Sequence, residues 1–333
     1  MRDAKEIQSK FPTLWHVLGE KYIESLKSEQ GALAKRATIN PFFAILYEPN
    51  NTRESEILEQ CFKSALENNT ISVDRLKRFR DEKQHTNIQN FINELLTLSP
   101  VFDAGHFLDE TNEGVTPDFI AEINGTSIVF ECVSVNEAGD VIKEKNRNIL
   151  DTGKQHKSWK RDNPEGGVFT VVRELHPYGT HRIEKIIEKL RKKKSSRQVK
   201  GFELKVLVMS FRNMLFADSR ECLPNTSNQV DGIHSGIIYH AFYGKQGDFI
   251  FSGNSFEGAR HQISILESDG KFRRPSEYNL CILHFETGEN ETYKKYVFFE
   301  NFENPMPGEV LKRLCDAFSP YDTHSVLKSY AAT

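Results

Sequence analysis

Asp118 and Glu131 are two residues whose type and spacing could do chemistry. They stand in TPDFIAEINGTSIVFECV, residues 116–133, on either side of Asn124-Gly125. That dipeptide is the strongest short signal for a two-residue hairpin turn. Both flanks are rich in β-formers, with Phe119, Ile120 and Ile123 on one side and Ile128, Val129 and Phe130 on the other. A hairpin folded on that turn pairs Ile123 with Thr126, Ala121 with Ile128, Phe119 with Phe130 and Asp118 with Glu131. Opposed residues share a face, with Cβ atoms about 5 Å apart, and like charges there repel. A divalent cation between the two carboxylates would relieve the repulsion. The plainer alternative makes Asp118 the cap of a turn after Thr116-Pro117 and Glu131 a solvent-facing strand residue. Against it, Glu131 lies in the apolar run SIVFECVSV, where a carboxylate without a partner is costly.

The elements around this hairpin must position it. Upstream, the chain reads as helices. Phe11-Pro12 opens one with Leu14, Trp15, Leu18, Tyr22 and Leu26 on its stripe, and Arg53 to Leu66 makes another. Thr86-x-x-Gln89 has the form of a capping box. It starts a helix with Ile88, Phe91, Ile92, Leu95 and Leu96 on one face and Glu94 at that face's edge.

Downstream the pattern changes. Strands are expected at 101–108, within 116–135, at 168–175 and at 204–211, the last nearly continuously apolar, as a strand covered on both faces should be. Helices are expected at 141–160 and 180–198. GIIYHAFYG and DFIFSG suggest a small hairpin after the loop ADSRECLPNTSNQVDG. Strands return at 278–286 and 294–301, followed by a helix from Glu309 to Phe318. Helices and strands in this order indicate an α/β layer with a mixed sheet. The most plausible boundary falls near residue 85, with an N-terminal helical region before it.

Composition excludes several classes. The chain of 333 residues is long enough for one large or two ordinary domains, and 24 Phe supply core material. No apolar run approaches the roughly 20 residues of a membrane span, and the N-terminus lacks the apolar stretch of a signal peptide. Five scattered cysteines without a CxxC pair suggest a reducing cytoplasm and argue against a disulfide framework or a Cys-zinc site. The net charge of −3 hides an asymmetry. Residues 141–205 carry 18 Lys and Arg against 8 Asp and Glu. Such a stretch is either a phosphate-binding surface or a solvated helix face.

Pro117-Asp118, a hairpin, then Glu131-Cys132-Val133 near the end of an apolar strand resembles the PD-(D/E)xK, or restriction-endonuclease-like, nuclease superfamily. The likeness covers roughly residues 86–211 and departs at Val133, where the pattern has Lys. The resemblance implies a restriction-endonuclease-like mixed β-sheet core flanked by helices, spanning 86–333 with an insertion around 212–276. It implies a divalent-metal-dependent nuclease that hydrolyses phosphodiester bonds in DNA, using Mg²⁺ or Mn²⁺. Glu94, Asp118 and Glu131 would hold the metal, with the carbonyl of Cys132 a further ligand.

The missing lysine would be replaced from elsewhere. The stripe of the 180–198 helix leads to Lys193, the candidate catalytic ammonium, and to Lys194, with Lys189, Lys192, Lys143 and Lys145 as alternatives. Lys154, Lys157, Lys189, Lys192 and Lys194 would hold the phosphate backbone, which gives salt-sensitive affinity without sequence readout. By the habit of the family, the protein would work as a homodimer or as a subunit of a bacterial restriction or phage-defence complex. Two other readings stand beside this one. One is a catalytically inactive nuclease-fold module that binds nucleic acid or a protein partner. The other is an interaction protein whose acids are incidental. The three differ in whether Glu94, Asp118 and Glu131 converge and whether an ammonium joins them.

Overall fold

The structure is a computed structural model that describes residues 1–28, 40–82, 84–108, 117–135, 158–162, 201–212, 222–228, 232–252, 262–285, 296–318 and 323–324. The expected strand at 168–175, the helix at 180–198 and all but the last residues of the helix at 141–160 lie outside them. So do Lys143, Lys145, Lys154, Lys157, Lys189, Lys192, Lys193 and Lys194. The described chain divides into two compact units. One holds residues 1–60 and 76–89 with the short stretch 158–162; the other holds 61–75, 90–135 and the described residues from 201 onward.

The first unit is helical. It contains α1 (Ala4–Lys10), α2 (Pro12–Leu18), α3 (Glu20–Leu26) and α4 (Pro41–Tyr47). α5 (Thr52–Glu67), α6 (Val73–Asp81) and α7 (His85–Leu98) follow in the chain. The single helix expected from Pro12 to Leu26 is two. Gly19 sits at φ +80°, outside the helical region, and ends α2 there while the apolar spacing continues into α3. α7 begins at His85, one residue ahead of the expected capping box.

The N-terminus of α2 has no side-chain cap of its own. Glu59, on α5 and buried, accepts from the Thr13 and Leu14 N–H groups at 2.8 and 2.9 Å. A carboxylate on two orphan donors at a helix N-terminus satisfies both the hydrogen bonds and the helix dipole. Glu59→Ala is expected to cost about 2–3 kcal/mol, and Glu59→Gln about half of that. Urea denaturation of the two variants checks this.

The second unit is built on a seven-stranded sheet in the order β1-β2-β3-β4-β9-β10-β11. Its strands are β1 (Gly105–Phe107), β2 (Phe119–Ile123), β3 (Thr126–Ser134), β4 (Leu204–Ser210), β9 (Leu280–His284), β10 (Tyr296–Glu300) and β11 (Thr323–His324). β2 is antiparallel to both β1 and β3; β3, β4 and β9 run parallel; β10 is antiparallel to β9 and parallel to β11. Asn124 and Gly125 have φ of 53° and 73°, the paired positive values of a type I′ turn. The β2–β3 register is the one the turn dictates: Ile123↔Thr126, Ala121↔Ile128 and Phe119↔Phe130. β4, β9 and β10 are buried almost throughout, because both faces of the sheet are covered.

On one face lie Phe119 and Phe130, in edge contact at 5.7 Å, with α7. There too α9 (Gly308–Phe318) sets Phe318 against Tyr296 and Phe298. The other face carries Val129, Leu207, Met209, Cys281 and Phe299, packed against α8 (Ile237–Tyr243) and Tyr278.

α8 corrects the expected GIIYHAFYG strand. Gly236 and Gly244 bracket the segment, and Ile238, Ala241 and Phe242 fall at helical spacing onto the core. A short apolar run does not distinguish helix from buried strand. β7 (Phe249–Ser252) therefore pairs instead with β8 (Gln262–Ile265), and the expected loop at 217–232 contains β5 (Asn225–Asn228), paired with β6 (Gly232–Ser235). Among the described residues, no helix is long and apolar enough to cross a membrane.

Candidate active site

Three strands end in a polar residue on one face. Ser134 of β3 is the neighbour of Ser210 of β4, which is the neighbour of His284 of β9, which in turn faces Tyr296 of β10. The row forms because β3, β4 and β9 are parallel and in register, so their last residues align. Above it runs the polar edge of α7: Asn93, Glu94 and Thr97. The helix buries Ile92, Leu95 and Leu96, and the remaining positions of its inner turn fall over the strand ends.

Hydrogen bonds tie helix to row. Asn93 Nδ2 donates to Ser134 Oγ at 3.5 Å. Thr97 Oγ1 lies 2.6 Å from the Asn93 carbonyl and 2.6 Å from His284 Nδ1. A hydroxyl has one proton, and a carbonyl only accepts, so the Thr97 proton goes to Asn93. His284 Nδ1 must then carry a proton and donate to Thr97. His284 is buried and stacked on Tyr296 at 4.7 Å.

Glu94, Thr97, Cys132, Ser134, Val208 and Ser210, with Val133, line one cleft. Glu94 is half-buried. Ser210 is 4 % exposed, and its Oγ has no hydrogen-bond partner.

Asp118 stands just before β2. The β2–β3 pairing ends at Phe119↔Phe130. The next β3 amide pointing that way, Cys132 N–H, donates to Asp118 Oδ2 at 2.7 Å. The side chain thus continues a ladder that the backbone leaves after Pro117. Asp118 is half-buried and accepts from the Cys132 amide, and Cys132 lines the same cleft as Glu94.

Glu131 is placed differently. It alternates with Val129 and Val133, which pack into the core on the face away from α7. It is 1 % exposed, and Tyr278 donates its hydroxyl to Glu131 Oε2. Lys271 lies over the Tyr278 ring, its Nζ 5.2 Å from the centroid. Beside them, burial pushes the Cys281 thiol well above its ordinary range, and the charge of Lys271 pulls the other way.

The structure therefore brings Glu94 and Cys132 to one cleft, sets Asp118 on the Cys132 amide, and puts Glu131 under the opposite face. Among the described residues, no three His, Cys, Asp or Glu side chains gather as a metal-binding group. Sequence reasoning passed over Asn93, Thr97, Ser134, Ser210, His284, Tyr278 and Lys271. The one local signal was a polar residue closing each of three apolar runs, in FECVS, VLVMS and LCILH. That signal has meaning only once the register aligns the runs.

No model of a known protein family matches the chain, and no significant match was found among curated proteins or solved structures.

Proposed function

We propose that this protein is a divalent-metal-dependent nuclease acting on phosphodiester bonds in DNA, with Mg²⁺ or Mn²⁺ held by Asp118 and Glu94. One observation carries this reading: two half-buried carboxylates stand near the end of β3, Asp118 of the hairpin entry on the Cys132 amide and Glu94 of the helix in the cleft that Cys132 also lines. Hard cations of this kind bind through one or two carboxylates and complete their shell with water and substrate phosphate. A carboxylate pair backed by a neighbouring backbone carbonyl suits them. Among the described residues, α7 followed by the antiparallel β1–β3, with β4 parallel to β3, supports the resemblance to the PD-(D/E)xK superfamily. When bound, the ion would lower the pKa of a water and neutralise charge in the transition state. Asp118 would do double duty, fixing the Cys132 amide with Oδ2 and presenting its carboxylate to the ion.

Plasmid DNA incubated with Mg²⁺ or Mn²⁺ is expected to be nicked or linearised by the wild type. Asp118→Ala is expected to cut at least roughly a hundredfold more slowly. Metal-dependent cutting that survives the substitution would sink the reading.

A second reading has its own observation. Glu131 is bonded to Tyr278, and Val133 packs against the core, so the latter half of the motif is built into the fold. That suits a nuclease-fold module that binds nucleic acid or a protein partner without cutting. Salt-sensitive DNA binding with no cleavage under either metal would favour it.

A further inference from the structure

We infer that the turn at 271–274 and the ring of Phe302 form a docking surface for single-stranded DNA, with a base stacked on Phe302 and the phosphates held by Arg273 and Arg274. The choice of DNA rests on the reading above; the contact itself needs no metal and no cutting. The surface lies at the end of the sheet away from the Ser134–Ser210–His284 row, because it is built where β9 begins and β10 ends. In KFRR, residues 271–274, the apolar member anchors the charged ones. Phe272 is buried with its ring 5.1 Å from that of Phe242, inside the short 3-10 helix Lys271–Arg273. Gly270 admits this packing, since a Cβ there would stand 2.6 Å from the Phe242 carbonyl. Arg273 and Arg274 are left exposed. Arg273 donates through Nε to the Tyr243 carbonyl, which leaves the two Nη groups of its fork for an anion. Arg274 makes no hydrogen bond or ion pair among the described residues.

Phe302 joins the arginines through Tyr243. Its ring stacks on the Tyr243 ring at 5.4 Å and 21°, while the Tyr243 carbonyl holds Arg273. Asn301 Nδ2 donates to the Ser276 carbonyl at 3.3 Å and to the Tyr278 carbonyl at 2.8 Å, which fastens the chain at Phe302 beside the 271–274 turn. One face of the Phe302 ring is thus covered, yet the residue is still 39 % exposed. A base stacks on such a ring whatever its identity. A duplex keeps its bases stacked on one another, so the surface suits a single strand. Charge agrees. Lys271, whose ammonium lies over the Tyr278 ring, and the exposed Lys245 add to the two arginines. Of the acids near them, Glu277 is paired with Lys205 at 3.5 Å and Asp269 accepts from the Gln246 N–H at 2.7 Å, while Glu303 is exposed. The excess is cationic, and planar guanidinium forks match the oxygens of a phosphate.

The test is fluorescence anisotropy of labelled oligo(dT), about ten nucleotides long, with the full chain in EDTA so that nothing is cut. At low salt the wild type is expected to bind with a dissociation constant on the order of 10 μM. Phe302→Leu keeps the apolar bulk but not the aromatic face. It should weaken binding of oligo(dT) about tenfold and leave an abasic strand of equal length unaffected. Arg274→Ala should weaken both strands about threefold and lower the salt slope by about 0.7. Lys312→Ala, exposed on α9, should change nothing. Because Arg274 has no partner among the described residues, its variant keeps the test decisive even if Phe302→Leu folds poorly. Wild-type protein that binds oligo(dT) no better than the abasic strand would overturn the proposal, as would unchanged affinity in both variants. Polyglutamate that competes as strongly as oligo(dT) would overturn it in favour of an acidic protein partner, and tighter binding of oligo(U) would overturn the choice of DNA. None of these results depends on Asp118, so metal-dependent cutting of plasmid DNA succeeds or fails separately.

Discussion

Arg2→Ala is expected to lower the stability of the helical unit by about 3–5 kcal/mol, the largest loss we expect from a single truncation there. Arg2 is buried, and its guanidinium is spent on the end of α4. Nη1 donates to the Ile45 and Leu46 carbonyls at 3.1 and 2.9 Å and to Ser55 Oγ at 3.2 Å; Nη2 reaches Thr52 Oγ1 at 2.7 Å. The last carbonyls of a helix lack intrahelical partners and form the negative end of its dipole, so a cation capping them is doubly placed. The group also lies over the Phe11 ring, 5.3 Å from its centroid. Alanine would leave buried carbonyls unsatisfied and open a void. Arg2→Lys should recover little, because an ammonium lacks the planar fork that serves four oxygens at once. Chemical denaturation that follows the helical unit decides. A loss under 1 kcal/mol would mean that water takes over the carbonyls.

Glu131→Ala is expected to cost a similar 3–5 kcal/mol, and this bears on function as well as stability. The residue is enclosed, and the Tyr278 hydroxyl donates to it. Tyr278→Phe should cost about 1.5–3 kcal/mol, and the Glu131→Ala, Tyr278→Phe pair should cost less than the sum of the singles. Glu131→Gln keeps an acceptor for Tyr278 and should cost about 1–2 kcal/mol. That variant separates two roles. If Glu131 serves the fold, Glu131→Gln cuts DNA at near the wild-type rate while Asp118→Ala does not. If it abolishes cutting with stability retained, Glu131 reaches the ion during turnover, and its place beneath the sheet is only its resting position.

What was legible in the sequence was what local chemistry decides. Asn124-Gly125 accepts positive φ at both turn positions, and the alternation on either side admits one register that keeps the apolar residues together. The pairing down to Phe119↔Phe130 was therefore readable from a score of residues. β4 and β9 were readable for the same kind of reason: long apolar runs are strands covered on both sides. Where two periodicities fit the same short apolar run, the sequence misled, as at α8. There the flanking glycines and the shape of the core chose the helix.

The site was only half legible. Opposed acids on a hairpin suggested a shared metal, and by alternation Asp118 and Glu131 do begin on one side of the ladder. Tertiary structure decided what each acid then does. The ladder stops at Phe119, so Asp118 is free to turn its carboxylate onto the Cys132 amide. β9 continues the sheet beside β4, and Tyr278, just ahead of that strand, captures Glu131 from below. The row Ser134–Ser210–His284 exists in no local stretch of sequence. It is made when three parallel strands, far apart in the chain, stop level with one another beneath α7. Turn type and strand period act over a few residues and can be read from them. Which faces meet, and which carboxylate is left at the surface, depends on contacts between segments that no local pattern records.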